Sequence, residues 1–196
     1  MELVARLWQT PGARIGGVAM ALMVLAALFA PWLATHDPNA IDVAARLSPP
    51  TEAHWFGTDH LGRDLYTRTL FGARIAVGVA LVVTSLALSI GLVLGTAAAY
   101  APAQVERVIL IGFDIVSSFP SLVLALALVA VLGPGLTNVI ILVTVVFIPH
   151  FGRIARAQTL TVRQRPFIEA ERAVGASELR IVTHHVLPNI LGPIIV

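Results

Sequence analysis

The sequence predicts an all-α fold, a polytopic bundle of transmembrane helices. Of the 196 residues, 57% are hydrophobic and only 12% are charged, whereas a soluble domain carries about 25% charged residues. The apolar residues are also grouped into stretches of roughly membrane-spanning length, which polar segments separate. The mean hydropathy of the chain is +0.87. There is no cysteine, which excludes disulfides and thiolate metal sites.

The first apolar stretch predicts a transmembrane helix at the N-terminal end. Residues 15–35 carry no charge, and at about 1.5 Å per residue they can cross a hydrocarbon core of about 30 Å. A secretory signal peptide has an apolar core of only about 7–15 residues, so a transmembrane helix is the better interpretation. Residues 1–35 are therefore predicted to be a short basic leader, with Arg6 and Arg14, followed by the first span.

Residues 36–73 are polar and rich in proline, and they predict an external loop. Four of its side chains could be metal ligands: His54, Asp59, His60 and Asp64. Their spacing matches no zinc or calcium pattern. Gly57 and Gly62 are typical of turns, with Asp59 and Asp64 closing local hydrogen bonds. We therefore predict a structural loop here and no metal site.

Three further apolar stretches predict three more spans, at residues 75–100, 108–132 and 139–151. The first contains Gly91 and Gly95 in a GxxxG pattern, which lets two helix backbones approach closely. Gly-Pro-Gly at 133–135 predicts a tight turn between the other two.

The 108–132 stretch holds candidate pathway or kink residues: Asp114, Ser117, Ser118 and Pro120. Pro120 predicts a kink whose freed backbone groups need polar neighbours. An acid inside a span is a functional candidate. Asp114, however, lies only about two helical turns after Arg107, which places it at a shallow depth. A structural role, pairing with a neighbouring helix or with water, is the interpretation we favour.

The polar segment at 163–188 predicts a hairpin of two short helices at the membrane surface. Pro166 suits a first helical position, and Glu169 then meets the positive end of the helix dipole. Gly175 can take the left-handed conformation that ends a helix. Ser177 can cap the second helix, which runs toward the next apolar residues.

The distribution of arginine predicts the orientation, because all 13 basic residues are arginine and lysine is absent. With a cytoplasmic N-terminus, four spans place nine arginines inside: Arg6, Arg14, Arg107, Arg153, Arg156, Arg163, Arg165, Arg172 and Arg180. The other four lie outside: Arg46, Arg63, Arg68 and Arg74. This arrangement satisfies the positive-inside bias. The apolar residues after Pro188 are too few to cross, so we expect a truncated chain or part of a longer protein.

Three sequence fragments carry a resemblance to a known family. Glu169-Ala170-Glu171, Gly175 and Leu187-Pro188 resemble the EAA loop of ABC importer permeases, in which Glu-Ala-Ala precedes a glycine and a later Leu-Pro. FGTDHLGRD at 56–64 and GPGLTN at 133–138 resemble the C-type permease subunit of the dipeptide/oligopeptide importers. The resemblance covers essentially the whole chain. Glu171 departs from it, because the pattern has a second alanine there.

The resemblance implies a type I ABC importer permease fold, usually with six spans, in a bacterial or archaeal inner membrane. Residues 74–196 would be the permease domain, incomplete at its C-terminal end, with a cytoplasmic coupling loop at about 153–188. It also implies four kinds of partner: a second permease subunit in a heterodimer, ATPase subunits, an extracytoplasmic solute-binding protein and membrane lipid. The cargo would be peptides or similar small solutes, such as nickel or glutathione. The residues implied in ATPase coupling are Glu169, Ala170, Ala173, Gly175, Ser177, Leu187 and Pro188.

The residues themselves exclude some activities. A P-loop needs a lysine, and this chain contains no lysine, so it cannot form a P-loop. We therefore expect any ATP to be bound by the partner ATPase. We therefore predict no enzymatic activity and no cofactor in this chain. Nucleic-acid binding has little support, because the basic residues lack interleaved aromatic residues.

Three rival interpretations remain. An ion-gradient-driven secondary transporter would need ionisable groups deep in its spans, and apart from the shallow Asp114 the spans offer almost none. A membrane-embedded hydrolase could use His150, His184 or His185, but no HExxH or GxSxG motif accompanies them. A plain amphipathic helix pair at the lipid surface is the third, because six arginines suit anionic headgroups.

Overall fold

The structure, a computed structural model, describes residues 10–195 and divides into two compact units, Met1–Ala80 and Leu81–Val196. Part of the predicted leader, including Arg6, lies outside the described residues. The helices are α1 (Pro11–Leu28), α2 (Ala30–Leu33), α3 (Leu65–Tyr100), α4 (Ala103–Ser118), α5 (Ser121–Leu132), α6 (Leu136–Arg163), α7 (Pro166–Ala173), α8 (Glu178–Ile181) and α9 (Leu187–Ile195). Residues 10–195 also contain a 3-10 turn at Val43–Ala45 and a π turn at Val182–Val186.

Among the described residues, α1, α3 and α6 are each long and apolar enough to cross a membrane. A fourth span results if α4 and α5 count as one bent crossing. The prediction of several spans is therefore confirmed, but the helix boundaries differ from the predicted ones. α3 begins at Leu65, inside the predicted 36–73 loop, because Asp64 caps it: the Thr67 backbone N–H donates to Asp64 Oδ2 at 2.7 Å.

The predicted 108–132 span, with its kink at Pro120, is divided into two helices. α4 and α5 meet at Phe119–Pro120, and their directions differ by 93°. Proline has no N–H to continue the helix, so a kink was expected there, but the break is sharper than a kink. The Ser118 hydroxyl donates to the Asp114 carbonyl at 2.6 Å, which satisfies one carbonyl in the last turn of α4.

The predicted 139–151 span is too short. α6 runs to Arg163, with Pro149 in its interior. The segment beyond residue 151 packs on its neighbours through buried Ala155 and Val162, and its arginines also pair with α4. Arg153 Nη2 lies 2.8 Å from Asp114 Oδ1, and Arg156 Nε donates to Glu106 Oε1 at 2.7 Å.

The second unit is held by a close crossing of α3 and α6. A Cβ atom added to Gly95 would lie 2.2 Å from the Gly152 carbonyl oxygen, and one added to Gly91 would lie 2.8 Å from Phe151 Cβ. On its other side, Gly152 faces Phe113 of α4, whose Cζ would lie 2.4 Å from an added Cβ. The close approach predicted from the GxxxG pattern is confirmed, and its partner is a helix of the same chain.

A cluster of buried aliphatic residues fixes the C-terminal helices to α6. Ile168, Ile181, Val186 and Ile190 are all 0% exposed, and they pack in one cluster with residues of α6, including Val162. Burying such side chains is worth about 1.5–3 kcal/mol each.

In the first unit, residues 34–64 form what we call the polar loop. Gly57 and Gly62 have φ angles of +72° and +77°, as turn glycines do. Asp59 Oδ1 accepts hydrogen bonds from the backbone N–H groups of Leu61 (2.8 Å) and Arg63 (3.0 Å). The prediction that Asp59 and Asp64 close local hydrogen bonds is confirmed.

Candidate functional site

The candidate site is the hairpin, residues 164–186, which begins with α7. Pro166 occupies the start of this helix, where its missing N–H has no helical partner to lose. The helix ends at Ala173, and Gly175, two residues later, has a φ of +86°. The Gly175 N–H donates to the Arg172 carbonyl, and the Ala176 N–H donates to the Glu171 carbonyl, both at 3.0 Å. This pattern is a Schellman motif, so the predicted glycine stop is confirmed.

The second arm of the hairpin begins at Ser177. Its hydroxyl oxygen accepts from the Arg180 backbone N–H at 3.4 Å, as an N-cap does. α8 is only four residues long and continues through the π turn into α9. The π turn lies just before Pro188, whose missing N–H interrupts the ordinary helical ladder. Leu187 and Pro188 therefore stand inside a continuing helical segment.

The two arms present one buried side and one exposed side. Ile168 and Ile181 face the core and are 0% exposed. Val174 is 80% exposed and Leu179 is 74% exposed. The exposed side also holds most of the predicted coupling residues: Glu169, Ala170, Ala173, Gly175 and Ser177. Leu187 instead packs against the buried cluster, so it belongs to the support of the hairpin.

An ion pair joins the two arms. Arg172 Nε donates to Glu178 Oε1 at 2.6 Å, and its Nη2 donates to Oε2 at 3.2 Å. The hydrogen bond from Arg172 holds the pKa of Glu178 below its usual range. The ion pair thus joins the two arms next to the tip of the hairpin.

The base of the hairpin is tied to α3. The Arg163 guanidinium donates to the Ala99 carbonyl and lies 4.3 Å from the centre of the Tyr100 ring, a cation–π contact. Arg156 of α6 forms an ion pair with Glu106 of α4. These two arginines link the start of the hairpin to the neighbouring helices. From the sequence, these arginines predict an orientation and an affinity for anionic headgroups, but no partner within the protein. A local pattern could not have found their partners, because Glu106 is 50 residues away from Arg156 in sequence.

Glu171, the departure from the family pattern, turns toward its own segment. His185 Nε2 lies 3.4 Å from Glu171 Oε1. The adjacent His184 has Nδ1 2.8 Å from the Thr183 hydroxyl oxygen. The extra carboxylate is therefore used within the hairpin and leaves the exposed side to Glu169.

The other predicted residues form a separate cluster between α4 and α6. Besides its ion pair with Asp114, Arg153 Nη2 lies 3.4 Å from the Ser117 hydroxyl oxygen. Pro120 marks the break between α4 and α5. Of the two interpretations of Asp114, this geometry matches the structural one, a pairing with a neighbouring helix.

Residues 87–196 match the model of a protein family described as binding-protein-dependent transport system inner membrane component. The chain belongs to this family. Residues 2–50 match a second model, the N-terminal transmembrane domain of oligopeptide transport permease C. This family of inner membrane components has the type I importer permease fold, so the predicted fold and resemblance are confirmed, and the chain is a multi-pass membrane protein.

Named relatives are permease proteins of peptide and related transport systems. The "Probable D,D-dipeptide transport system permease protein DdpC" of Escherichia coli K12 is 45% identical over 195 residues, covering 100% of this chain and 65% of the relative. The dipeptide transport system permease protein DppC of Alkalihalophilus pseudofirmus is 41% identical, covering 93% of this chain and 60% of the relative. The glutathione transport system permease protein GsiD of Escherichia coli O6 is 38% identical, covering 89% of this chain and 58% of the relative. The chain thus spans less than two thirds of the length of these relatives.

Proposed function

We propose that this chain is a permease subunit of a binding-protein-dependent ABC importer, where it lines part of the pathway for peptides or similar small solutes. Its partners are a second permease subunit, ATPase subunits that bind and hydrolyse ATP, and an extracytoplasmic solute-binding protein. Family membership supports this proposal over the ion-gradient and hydrolase interpretations. The names of the relatives support peptides or glutathione as the class of cargo.

The observation that carries the proposal is the exposed side of the hairpin. Ala170 and Ala173 are small and allow close approach of another protein surface. Val174 and Leu179 offer apolar area that contact with a partner would remove from water. Glu169, on the same side, can pair with a basic group. We propose that this surface docks on the ATPase.

The supports of the hairpin suggest how movement would spread. A displaced hairpin carries α6 with it through the buried cluster, and Arg163 and Arg156 transmit the shift to α3 and α4. Interfaces of this kind are bistable, so a small shift can produce a rigid-body change between two packings. In an importer, such a change would alternate access between the two sides of the membrane.

A charge reversal at Glu169 tests the docking proposal. Glu169→Lys should reduce co-purification of the ATPase with the permease, because it removes an acidic group from the proposed contact. Glu52→Lys makes the same charge change at an exposed position in the polar loop and should leave co-purification unchanged. Equal ATPase recovery from Glu169→Lys, Glu52→Lys and the parent chain would contradict the proposal.

The orientation can be tested independently. A reporter fused after Arg165 should be cytoplasmic, and one fused near Pro50 should be external. The bent α4–α5 pair makes this test informative: the hairpin faces the cytoplasm only if the pair crosses the membrane once. If the pair instead enters and leaves on one side, both reporters would be external, and the ATPase could not reach the hairpin.

A further inference from the structure

A cluster of three metal-ligating side chains lies in the polar loop, outside the proposed coupling site. His36 follows α2, His54 stands in the middle of the loop, and Asp64 is the last residue before α3. The fold of the loop brings these three points together, with their potential ligand atoms all within 4.8 Å of one another. Asp64 is only 2% exposed, so its carboxylate needs strong local partners.

The carboxylate of Asp64 divides its two oxygens between two tasks. Oδ2 accepts from the Thr67 backbone N–H at 2.7 Å and so caps α3. Oδ1 faces the two imidazoles, 3.0 Å from Nδ1 of His54 and 4.0 Å from Nδ1 of His36. The first contact is a hydrogen bond that His54 donates, whereas the second is too long to be one. A hydrogen bond to Asp64 therefore explains the position of His54 but not that of His36.

The second histidine is nevertheless fixed beside the first. The His36 backbone N–H donates to the Thr67 hydroxyl oxygen at 3.3 Å, which ties His36 to the start of α3. The two imidazole rings have their centres 4.7 Å apart and are inclined by 31°. His36 Nδ1 also lies within hydrogen-bond distance of the exposed Thr35 hydroxyl, at 2.9 Å, a contact that rotation of the threonine side chain can release.

The distances suit a small cation. With bonds of about 2.0–2.1 Å, neighbouring ligands of a tetrahedral zinc ion lie about 3.3 Å apart. The observed separations from Asp64 Oδ1, 3.0 and 4.0 Å, bracket this value. Small side-chain rotations would therefore bring two nitrogens and one oxygen to ligand distance.

A cavity of about 270 Å³ opens beside these groups, and two further carboxylates line it. Asp37 and Asp42 each use one oxygen, Oδ1, to accept from a backbone N–H group, of Asn39 at 2.7 Å and of Ala44 at 3.0 Å. Gly62 forms another part of the wall, where an added Cβ would lie 1.7 Å from the Asp42 carbonyl oxygen. The cavity is thus closely built and lined by three carboxylates, those of Asp37, Asp42 and Asp64.

We propose that His36, His54 and Asp64 bind one divalent transition-metal ion of the zinc class, with water or a second carboxylate completing the coordination. Imidazole and carboxylate ligands suit such ions. The ion would join the end of α2, the middle of the polar loop and the start of α3, and so fix the loop. This proposal revises the expectation of a purely structural loop and does not depend on the proposed transport function.

Metal titration of the purified full chain tests the site. The protein, in detergent or nanodiscs and without a histidine tag, is stripped with chelator and titrated with Zn²⁺ against a chromophoric competitor. One equivalent should bind saturably, and Co²⁺ should give the absorption bands of a tetrahedral site. Zn²⁺ should also raise the unfolding temperature.

Single substitutions identify the ligands. His36→Gln and His54→Gln should each weaken Zn²⁺ binding at least tenfold and remove the thermal shift. His60→Gln, in the same loop but outside the cluster, and His184→Gln, in the hairpin, should leave both readouts unchanged. His36 is partly exposed, so its replacement keeps the fold intact. Absence of saturable binding, or equal affinity in His36→Gln, His54→Gln and the parent chain, would overturn the proposal.

Discussion

The polar loop and the hairpin are both polar segments between apolar helices, yet different forces hold them in shape. In the polar loop, carboxylates accept hydrogen bonds from nearby backbone N–H groups, as Asp59 and Asp64 do, and glycines let two backbone segments touch. In the hairpin, buried isoleucines provide the support, and the end that carries Gly175 stands open. The polar loop should therefore unfold when its local geometry changes. The hairpin should stay folded when its exposed end is substituted, so that such substitutions change only the binding of partners.

The largest expected difference concerns two glycines with similar backbone angles. Gly62 has a φ of +77° and Gly175 a φ of +86°. An added Cβ would lie 1.7 Å from the Asp42 carbonyl oxygen at Gly62 and would meet nothing within 4 Å at Gly175. Gly62→Ala should cost about 3 kcal/mol or more, because the backbone must move. Gly175→Ala should cost only about 1 kcal/mol, the strain of the left-handed conformation.

Thermal or denaturant unfolding of the purified chain measures both variants. Gly72→Ala is the matched control, because Gly72 lies in α3 with nothing near its Cβ position, and alanine there should be neutral or slightly stabilising. Equal losses at Gly62 and Gly175 would show that crowding in the loop does not distinguish the two segments.

A bulky residue at Gly175, such as leucine, should uncouple solute uptake from ATP hydrolysis in the assembled transporter while leaving membrane insertion intact.

The second prediction concerns Asp64, which caps α3 from the loop side. Asp64→Ala should destabilise the first unit by about 1–2 kcal/mol, because the Thr67 N–H loses its acceptor. Asp64→Asn should lose less, because an asparagine oxygen can still cap the helix. The measurement is trypsin cleavage within the loop, at Arg46 and Arg63, in the presence of a chelator. If Asp64→Ala is cleaved no faster than the parent chain, Asp64 does not stabilise the polar loop.

The same carboxylates predict a response to acid. Burial raises the pKa of Asp64, but hydrogen bonds from Thr67 and His54 outweigh it and lower the pKa. Burial likewise raises the pKa of Asp59, but the hydrogen bonds that it accepts from Arg63 and Leu61 outweigh burial and hold the pKa well below its usual range. Because the folded pKa values are depressed, the stability they contribute is present above the unfolded value of about 4 and is lost as the pH falls below it. At pH 3 the loop should open and be cleaved faster by pepsin, which is active at that pH, and Asp59→Asn should weaken this pH dependence.

The third prediction uses the exposed end of the hairpin. Leu179→Ser should leave the free energy of unfolding within about 0.5 kcal/mol of the parent value, because the side chain is 74% exposed. It should weaken ATPase binding roughly tenfold, or about 1.4 kcal/mol, if the residue is covered on docking. Val43→Ser is the matched control, because Val43 is 75% exposed in the polar loop. A similar loss of ATPase binding in both variants would argue for a nonspecific effect.

The signals that predicted the hairpin are local, and that is why they succeeded. Pro166, Gly175 and Ser177 each act through backbone groups within a few residues, so their roles could be read from the sequence. The turns at Gly57 and Gly62 were predictable for the same reason. The functional roles assigned to the hairpin residues remain predictions, because folding signals do not say what a surface touches.

The features that sequence reasoning missed depend on distant contacts. The part of α6 beyond residue 151 packs against buried residues of the hairpin and α9, and the angle of 93° at Pro120 is larger than a proline kink predicts. His36 was not among the candidate ligands, because only the closed loop brings it beside His54 and Asp64. A spacing pattern could not reveal that set, since its members come from three separate segments of the chain.

The smallest expected effect lies in the ion pair between the arms of the hairpin. Arg172 and Glu178 are partly exposed, at 35% and 53% of their side-chain surface, so solvent screens their attraction and the pair should contribute at most about 0.5 kcal/mol. A double-mutant cycle with Arg172→Gln and Glu178→Gln measures the coupling energy directly, and raising the salt concentration should reduce it further. A coupling above about 1.5 kcal/mol would mean that the hairpin, like the polar loop, depends on local polar contacts. In that case the buried isoleucines would not be its main support, and the contrast between the two segments would fail.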